Sequence, residues 1–434
     1  MKRPNIAYLV SRFPKITETF ILYEMQALEA QGAQIELFPL VREREPVRHT
    51  EAEKWMERAH YSPILGRAVL KSQVYWLLRS PLRLLGLWAH ALWGHRGSRK
   101  YLLRAAAALL LAGHFGRQMQ ALGIQHIHAH WATHTALAAF AIRRLTGIPY
   151  SFTAHAHDIY VERMMLAQKI REARFVVTIS DHNRRLLCEL YGEEAAKKVR
   201  LVRCGTDTSV FIPGENGREE SSAPFRIVCV GALEEKKGQT YLIEACRLLA
   251  RRGFPLECLL IGDGELRPAL QAQIRAAGLE EKVKLLGTQP RERVSALLKE
   301  AQVVVMPSIR LKNGKMEGIP VALMEALAVE APVVASAISG IPELVVDGET
   351  GLLVPERDPS ALAQAIASLQ RNPRLGRRLG KNGRKKVLAE YDLVKNTRSL
   401  YSLLTGQELR LARPARYGQM LRTGEWQLRE MKEK

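Results

Sequence analysis

Two series of short apolar runs alternating with amphipathic helical stretches, parted by one polar break, constrain this 434-residue chain more than any other feature. The first series opens with NIAYLV (5–10), a helical stretch from about Glu18 to Gln31, and QIELFPL (34–40). Gly32 stands where a helix end favours a left-handed residue. Strand, helix and strand in this order make a β-α-β opening, and such units build parallel sheets covered by helices on both faces. The break is concentrated in IPGENGREESSAP (212–224), rich in Pro, Gly, Ser and charge. The second series begins at Phe225, with strands expected near 226–231, 256–261, 283–286, 303–306, 332–335 and 352–354. Length alone favours two cores over one. The expected fold class is α/β, with two Rossmann-like doubly wound domains. The expected divisions are 1–206 with a helical insertion at about 43–120, a linker at 207–224, a second domain at 225–395 and a helical segment at 396–434.

Within the second series, MEGIPVALMEALA (316–328) carries most of the chemistry. Pro320 suits the first turn of a helix, where no N–H is needed. Glu317 then precedes the helix and Glu325 follows about two turns in, a spacing that puts both carboxylates on one side. The free N–H groups of a helix start attract phosphate. Carboxylates accept bonds from sugar and ribose hydroxyls, so the stretch suits a sugar nucleotide. Its neighbours in order are VGALEEKKG (230–238), LLIGDGEL (259–266), VKLLGTQP (283–290), VVVMPS (303–308) and SGIPELVVDGETGLLVP (339–355).

With those segments in place, residues 225–395 resemble the retaining, nucleotide-sugar-dependent glycosyltransferases of family 4, which have the GT-B fold. SRFPKITETFI (11–21), HIHAHWA (126–132), FTAHAHDIY (152–160) and VTISDHNR (177–184) resemble the exopolysaccharide, colanic-acid type. The resemblance implies that the donor binds mainly to the second domain and the acceptor to the first. It also implies that the last helical segment crosses back to the first domain. Lys237 matches the family's phosphate-binding lysine, Glu325 its ribose-binding glutamate, and Glu317 the glutamate beside the donor sugar. His155 matches the histidine facing that sugar across the cleft. His155, Glu317 and Lys237 are thus the implied catalytic set. Gly231, at a strand end, lets the backbone approach the donor. The N–H groups of Gly318, Ile319 and Val321 are candidates for sugar or phosphate oxygens.

The chain departs from the family in three places. Ala232 stands where an arginine is usual. Arg203 and Lys236 are candidates to replace it, against a reading as solvated surface charge. Lys15 and Glu18 occupy a loop that often carries Gly-Gly. Glu18 is an acceptor-side candidate or a helix cap. Asp158, also on the acceptor side, orients its loop, binds acceptor hydroxyls or caps a helix. Glu330 replaces a usual glycine and is expected on the surface with no functional message. His126, His128 and His130 share one strand face. No neighbouring carboxylate or cysteine in the sequence completes a metal set with them, and the family needs no bound metal. The expected cofactor list is therefore empty, with a nucleotide sugar as donor substrate.

The charge is strongly positive, +21, and unevenly placed. Residues 58–157 contain no Asp or Glu but hold twelve Lys and Arg and four of the six tryptophans. Their core, 74–111, is basic and amphipathic, a pattern that docks on anionic membranes. The helices within 67–117 are expected to carry Trp76, Trp88 or Trp93 near the headgroups. The other reading is that they pack on the first domain with solvated arginines. No nucleic-acid motif accompanies the charge. No run of 18 apolar residues and no cleavable signal are present, and five cysteines without CxxC spacing suit a reducing compartment. The expected location is cytoplasmic, peripheral on the inner face of the cell membrane. The expected function is transfer of a sugar to a lipid-linked glycan in exopolysaccharide or lipopolysaccharide assembly. Alternatives are a non-catalytic membrane partner that keeps the fold, or an enzyme with a soluble acceptor.

Overall fold

The computed structural model of the protein describes residues 3–15, 18–43, 50–214 and 224–406. The first half comprises β1 (Asn5–Phe13), α1 (Thr19–Ala30), β2 (Gln34–Arg42), α2 (Thr50–Arg58), α3 (Arg67–Arg79), α4 (Pro81–His95) and α5 (Arg99–Ala121). It continues with β3 (His126–His130), α6 (His134–Thr146), β4 (Tyr150–Ala154), α7 (His157–Tyr160), α8 (Leu166–Glu172), β5 (Phe175–Thr178), α9 (Asp181–Lys198) and β6 (Val199–Leu201). The six strands lie in the order β2-β1-β3-β4-β5-β6. All pairs are parallel, with Asn5 opposite Gln34 and Ile127 opposite Tyr150.

The second half comprises β7 (Phe225–Val230), α10 (Gln239–Arg251), β8 (Leu256–Ile261), α11 (Arg267–Ala276), β9 (Val283–Gly287), α12 (Arg291–Glu300) and β10 (Val303–Met306). Then come α13 (Val321–Ala328), β11 (Val333–Ser336), α14 (Ile341–Leu344), β12 (Leu352–Val354), α15 (Pro359–Arg371), α16 (Pro373–Glu390) and α17 (Leu393–Thr405). Its sheet runs β12-β11-β10-β7-β8-β9, again all parallel. These are the two doubly wound sheets expected of a GT-B fold. Strand order reverses between β1 and β3 and between β7 and β10. Ligands in such sheets bind outside the carboxyl ends of the strands at these points. The described loop residues leaving them are 14, 15, 18, 131–133, 231–238 and 307–320.

Burial explains the apolar runs. Strands covered on both faces need apolar side chains at nearly every position. Ile6 to Val10 are buried without interruption, as are Val303 to Met306. On α1, Ile21, Leu22, Met25 and Leu28 face the same core as Tyr8 and Ile35. Leu400, Tyr401 and Leu404 of α17 join that cluster, and Gln31 donates to Thr397 at 2.8 Å. The last described helix therefore packs on the first half. Residues 407–434 and half of the expected linker, 215–223, lie outside the described residues.

The helical insertion is α2 to α5, and it corrects part of the tryptophan expectation. Trp76 is buried, and its indole N–H donates to the Gly113 carbonyl at 2.7 Å. Trp88 is half-buried, whereas Trp93 is 69 % exposed, with the Arg96 guanidinium 3.8 Å above its ring. An indole N–H with a carbonyl partner is satisfied in the interior, so Trp76 is packing. No described helix is long and apolar enough to cross a membrane.

Glu330 also differs from expectation. It is half-buried, directly after α13, with φ +62°, a backbone position that favours glycine. Its carbonyl lies against α16: a Cβ at Gly380 would stand 2.0 Å from the Glu330 oxygen. Gly→Ala inside an open helix stabilises by about 1 kcal/mol. Here the methyl has no room, so Gly380→Ala is expected to cost about 1–3 kcal/mol. Thermal unfolding should show a lower Tm; a Tm at or above the parent's would refute this packing.

Candidate functional site

The second half builds its side of the cleft around one carboxylate. Gly231 directly follows β7, and a Cβ there would meet the Lys237 side chain at 3.3 Å. The next turn, Glu235–Lys237, ends at Gly238 with φ +69°, where a Cβ would stand 2.0 Å from the Pro307 oxygen. Only glycine allows that approach, and it draws both lysines toward the loop after β10. Lys237 Nζ donates to Glu317 Oε2 at 2.9 Å, and Lys236 Nζ stands 2.8 Å from Oε1. Burial by itself would raise the Glu317 carboxyl, but the Lys237 and Lys236 ammonium groups outweigh it and hold it down to about 2. Lys236 is thus part of the site and not solvated surface charge.

The two-turn geometry inferred for Glu317 and Glu325 does not occur. Pro320 is the residue before the helix, with ψ 127°, and only Val321–Ala328 are helical. Glu325 is the fifth helical residue and has different neighbours from Glu317. Burial pushes its carboxyl up to about 7, against the pull of Arg291. The Arg291 guanidinium lies 4.2 Å over the Tyr23 ring, so Tyr23 of α1 borders the same region. Among the described residues no backbone carbonyl accepts from the N–H of Gly318, Ile319 or Val321. Those donors remain open beside Glu317.

Arg203 belongs elsewhere. It bonds Glu343 Oε2 at 3.2 Å and the Tyr391 hydroxyl at 3.2 Å, with Asp181 at 3.8 Å and Glu390 at 3.9 Å. Glu343 also accepts from the N–H groups of Asp181 and His182, capping α9 from the other half. Sequence reading missed Glu343, because its partners are far away along the chain.

In the first half, three loops converge at the carboxyl edge. His155 follows β4, and its carbonyl accepts from Asn183 Nδ2 at 2.6 Å. A Cβ on Gly318 would lie 3.3 Å from that carbonyl, so the Glu317 loop rests directly against His155. The ring is 4 % exposed, between Trp131 at 4.5 Å and Phe20 at 5.0 Å. Burial keeps it well below its ordinary pKa, hence neutral. Asp158 is turned inward: it accepts from the backbone N–H of Ala132, His155 and Ala156 at 2.7–3.2 Å. It orients its loop and is 1 % exposed, which leaves it no surface for acceptor hydroxyls. Lys169, another residue missed, holds the carbonyls of Ala132 and Thr133 from below. Burial pushes its amine down to about 7, opposed by Asp158 and Glu162. Glu18 stands at the N-cap of α1 but makes no cap bond; it pairs with Lys15 at 2.6 Å.

The three histidines of β3 are buried, and a carboxylate does reach them, contrary to expectation. Glu24 of α1, His128 and His130 bring ligand atoms within 4.8 Å of one another. Each of those nitrogens already has a protein partner. His128 meets Ser151 and Thr153 at 2.8 and 2.9 Å. His130 meets His155 at 3.2 Å and Glu24 at 3.0 Å. The signal for Glu24 was a lone acid between the buried residues Tyr23 and Met25.

Comparison with known proteins agrees with this layout. Residues 17–210 match Glycosyltransferase Family 4, and residues 215–386 match Glycosyl transferases group 1. AmsK of Erwinia amylovora, an amylovoran biosynthesis glycosyltransferase, is 43 % identical over 40 % of this chain and 42 % of its own length. The chain therefore spans less than half of that relative in the match, and the same share of WcaL from Escherichia coli. WcaL of Salmonella typhimurium, named for colanic acid biosynthesis, is 29 % identical over 85 % of this chain and 91 % of its own. Among solved structures, sucrose-phosphate synthase of Thermosynechococcus elongatus superposes with a TM-score of 0.68 at 21 % identity, covering 93 % of this chain and all of that one. Two consecutive domain matches on two facing doubly wound sheets place this chain in the family 4, group 1 glycosyltransferases.

Proposed function

We propose that this protein is a retaining glycosyltransferase that moves a sugar from a nucleoside-diphosphate sugar to a lipid-linked glycan, in bacterial exopolysaccharide or lipopolysaccharide assembly. The observation that carries this reading is Glu317, buried between two lysines beside open N–H groups and against His155 of the other half. Lys236 and Lys237 bind the diphosphate, with Lys236 in place of the family arginine absent at Ala232. Arg203 is already matched by carboxylates. Glu325 accepts the ribose hydroxyls, and Gly231 admits the backbone to the donor. Glu317 and the N–H groups of Gly318, Ile319 and Val321 hold the sugar. The names of the AmsK and WcaL relatives support the exopolysaccharide setting.

The bond from the anomeric carbon to the diphosphate oxygen breaks as the acceptor oxygen bonds to the same face. The acceptor's proton passes to the leaving phosphate, so no protein base is required. Negative charge grows on that phosphate, where two fixed ammonium groups oppose it in a site of low dielectric. They supply the countercharge, so the reading calls for no metal. His155, neutral, faces the sugar from the first half, and Glu18 borders the acceptor.

Glu325 binds hydroxyls best when ionised. With its carboxyl near 7, affinity for UDP or GDP should rise about tenfold from pH 6 to pH 8, following the ionised fraction. Glu325→Gln should flatten that rise. Glu317→Ala frees both lysines, so it should hold or raise nucleoside diphosphate affinity while abolishing transfer. Calorimetry with UDP and GDP, beside a transfer assay with their sugars, measures both. A pH-independent affinity in the parent, or full transfer by Glu317→Ala, would remove these assignments.

The same reading sets the protein on the cytoplasmic face of an anionic membrane through α3 and α4. Leu78, Leu82 and Trp93 are 80 %, 84 % and 69 % exposed. Arg79 and Arg83 line a surface cavity of about 530 Å³ between them. Each basic residue at such a surface contributes about 1 kcal/mol, attenuated by salt. Flotation with phosphatidylglycerol vesicles should show binding at low salt, release at high salt, and loss on combining Leu78→Glu with Leu82→Glu. Equal partition to neutral vesicles, or none to either kind, would make these helices packing surface only.

A further inference from the structure

A buried chain of hydrogen bonds runs behind the cleft histidine: Tyr8, Glu24, His130, His155. The Tyr8 hydroxyl donates to Glu24 Oε1 at 2.7 Å, which makes that oxygen an acceptor. His130 Nε2 stands 3.0 Å from the same oxygen, so it must carry the proton and donate. When His130 carries a single ring proton, the Glu24 bond holds that proton on Nε2 and leaves Nδ1 as an acceptor. His155 Nε2 faces it at 3.2 Å and must therefore donate. His155 Nδ1 then has a lone pair, and among the described residues nothing bonds it. Close packing surrounds these rings. His130 is fully buried, its ring 5.5 Å from that of Tyr8, and the His130 and His155 rings stack at 5.4 Å.

We infer that Glu24 and His130 are positioning residues that fix the tautomer of His155, so that Nδ1 offers an acceptor to a ligand hydroxyl in the cleft. The ligand half of this statement rests on the glycosyltransferase reading; the tautomer half does not. The alternative use of the same atoms is a metal site at Glu24, His128 and His130. It would take the Glu24 bond from His130 and release the chain.

The tautomer is read by long-range ¹H–¹⁵N correlation on the full chain with ¹⁵N-histidine, where a bare ring nitrogen resonates far from a protonated one. His155 in the parent is expected as the Nε2–H form. Glu24→Gln keeps the shape but offers a donor as readily as an acceptor, and should populate both forms. His130→Leu removes the acceptor altogether and should release His155 in the same way, which serves if the glutamine variant does not fold. An Nδ1–H form in the parent, or a His155 tautomer unmoved in either variant, overturns the inference. Stoichiometric shifts of His128 and His130 on adding zinc chloride overturn it too, in favour of the metal. If the relay holds, both variants lose transfer while UDP or GDP affinity stays unchanged. Parent protein that transfers no sugar yet shows the Nε2–H form would count against the proposed function and leave the relay standing.

Discussion

A carboxylate taken out of water must be matched by charge, and Glu317 is matched twice. Breaking a fully buried pair costs about 3–5 kcal/mol; Glu317, with 11 % of its side chain exposed, approaches that case, and the surrounding backbone keeps both ammonium groups in place. Gly231 lets the Lys237 side chain lie across it, and Gly238 lets the lysine turn touch Pro307 in the loop after β10. Gly262 presses on the Gly231 carbonyl with no room for a Cβ. The first half obeys a similar rule with backbone dipoles: Asp158 gathers N–H groups and Lys169 gathers carbonyls. Together they hold the loops after β3 and β4 in one shape.

The parts legible in the sequence were those decided over short distances. Alternation of apolar and amphipathic stretches revealed both sheets, because strands covered on two faces leave a continuous apolar trace, as Ile6–Val10 do. VGALEEKKG and EGIPVALMEALA marked the cleft through their resemblance to family 4 enzymes, helped by glycine, which permits close backbone approach, and proline, which fixes its own φ. What was hidden depends on groups distant in the chain. Whether Lys236 is surface or site turns on Glu317, far along the chain. Arg203 looked available for a phosphate because Glu343 and Glu390 were not visible beside it. Helical spacing overcounted the turns to Glu325, because Pro320 lies just outside the helix and not within its first turn. A run of tryptophans does not say which face is turned inward, and Trp76 was settled by one carbonyl on α5.

Charge is distributed by task. The acid-free stretch leaves α3 and α4 with exposed leucines and unopposed arginines, while the acids of the first half concentrate where bonds must be made. Glu24 serves Tyr8 and His130, Asp158 serves three amides, and Glu162 meets Tyr101 and His157. A chain with a high net charge thus keeps a site in which nearly every ionisable group has a fixed counterpart.

The return of α17 to the first half means that the chain passes between the halves twice. The two passages run side by side and are stitched together: Thr206 N–H donates to the Tyr391 carbonyl at 2.9 Å, and Leu393 N–H donates to the Thr206 carbonyl at 3.0 Å. A Cβ on Gly205 would stand 2.6 Å from Leu393, so the strands touch backbone to backbone. A single tether would let two bodies swivel about any axis. A double, bonded strap resists twist and yields mainly to bending, much as a door on two pins swings in one plane. The strap therefore holds the lysine turn and the histidine loop to one mutual alignment.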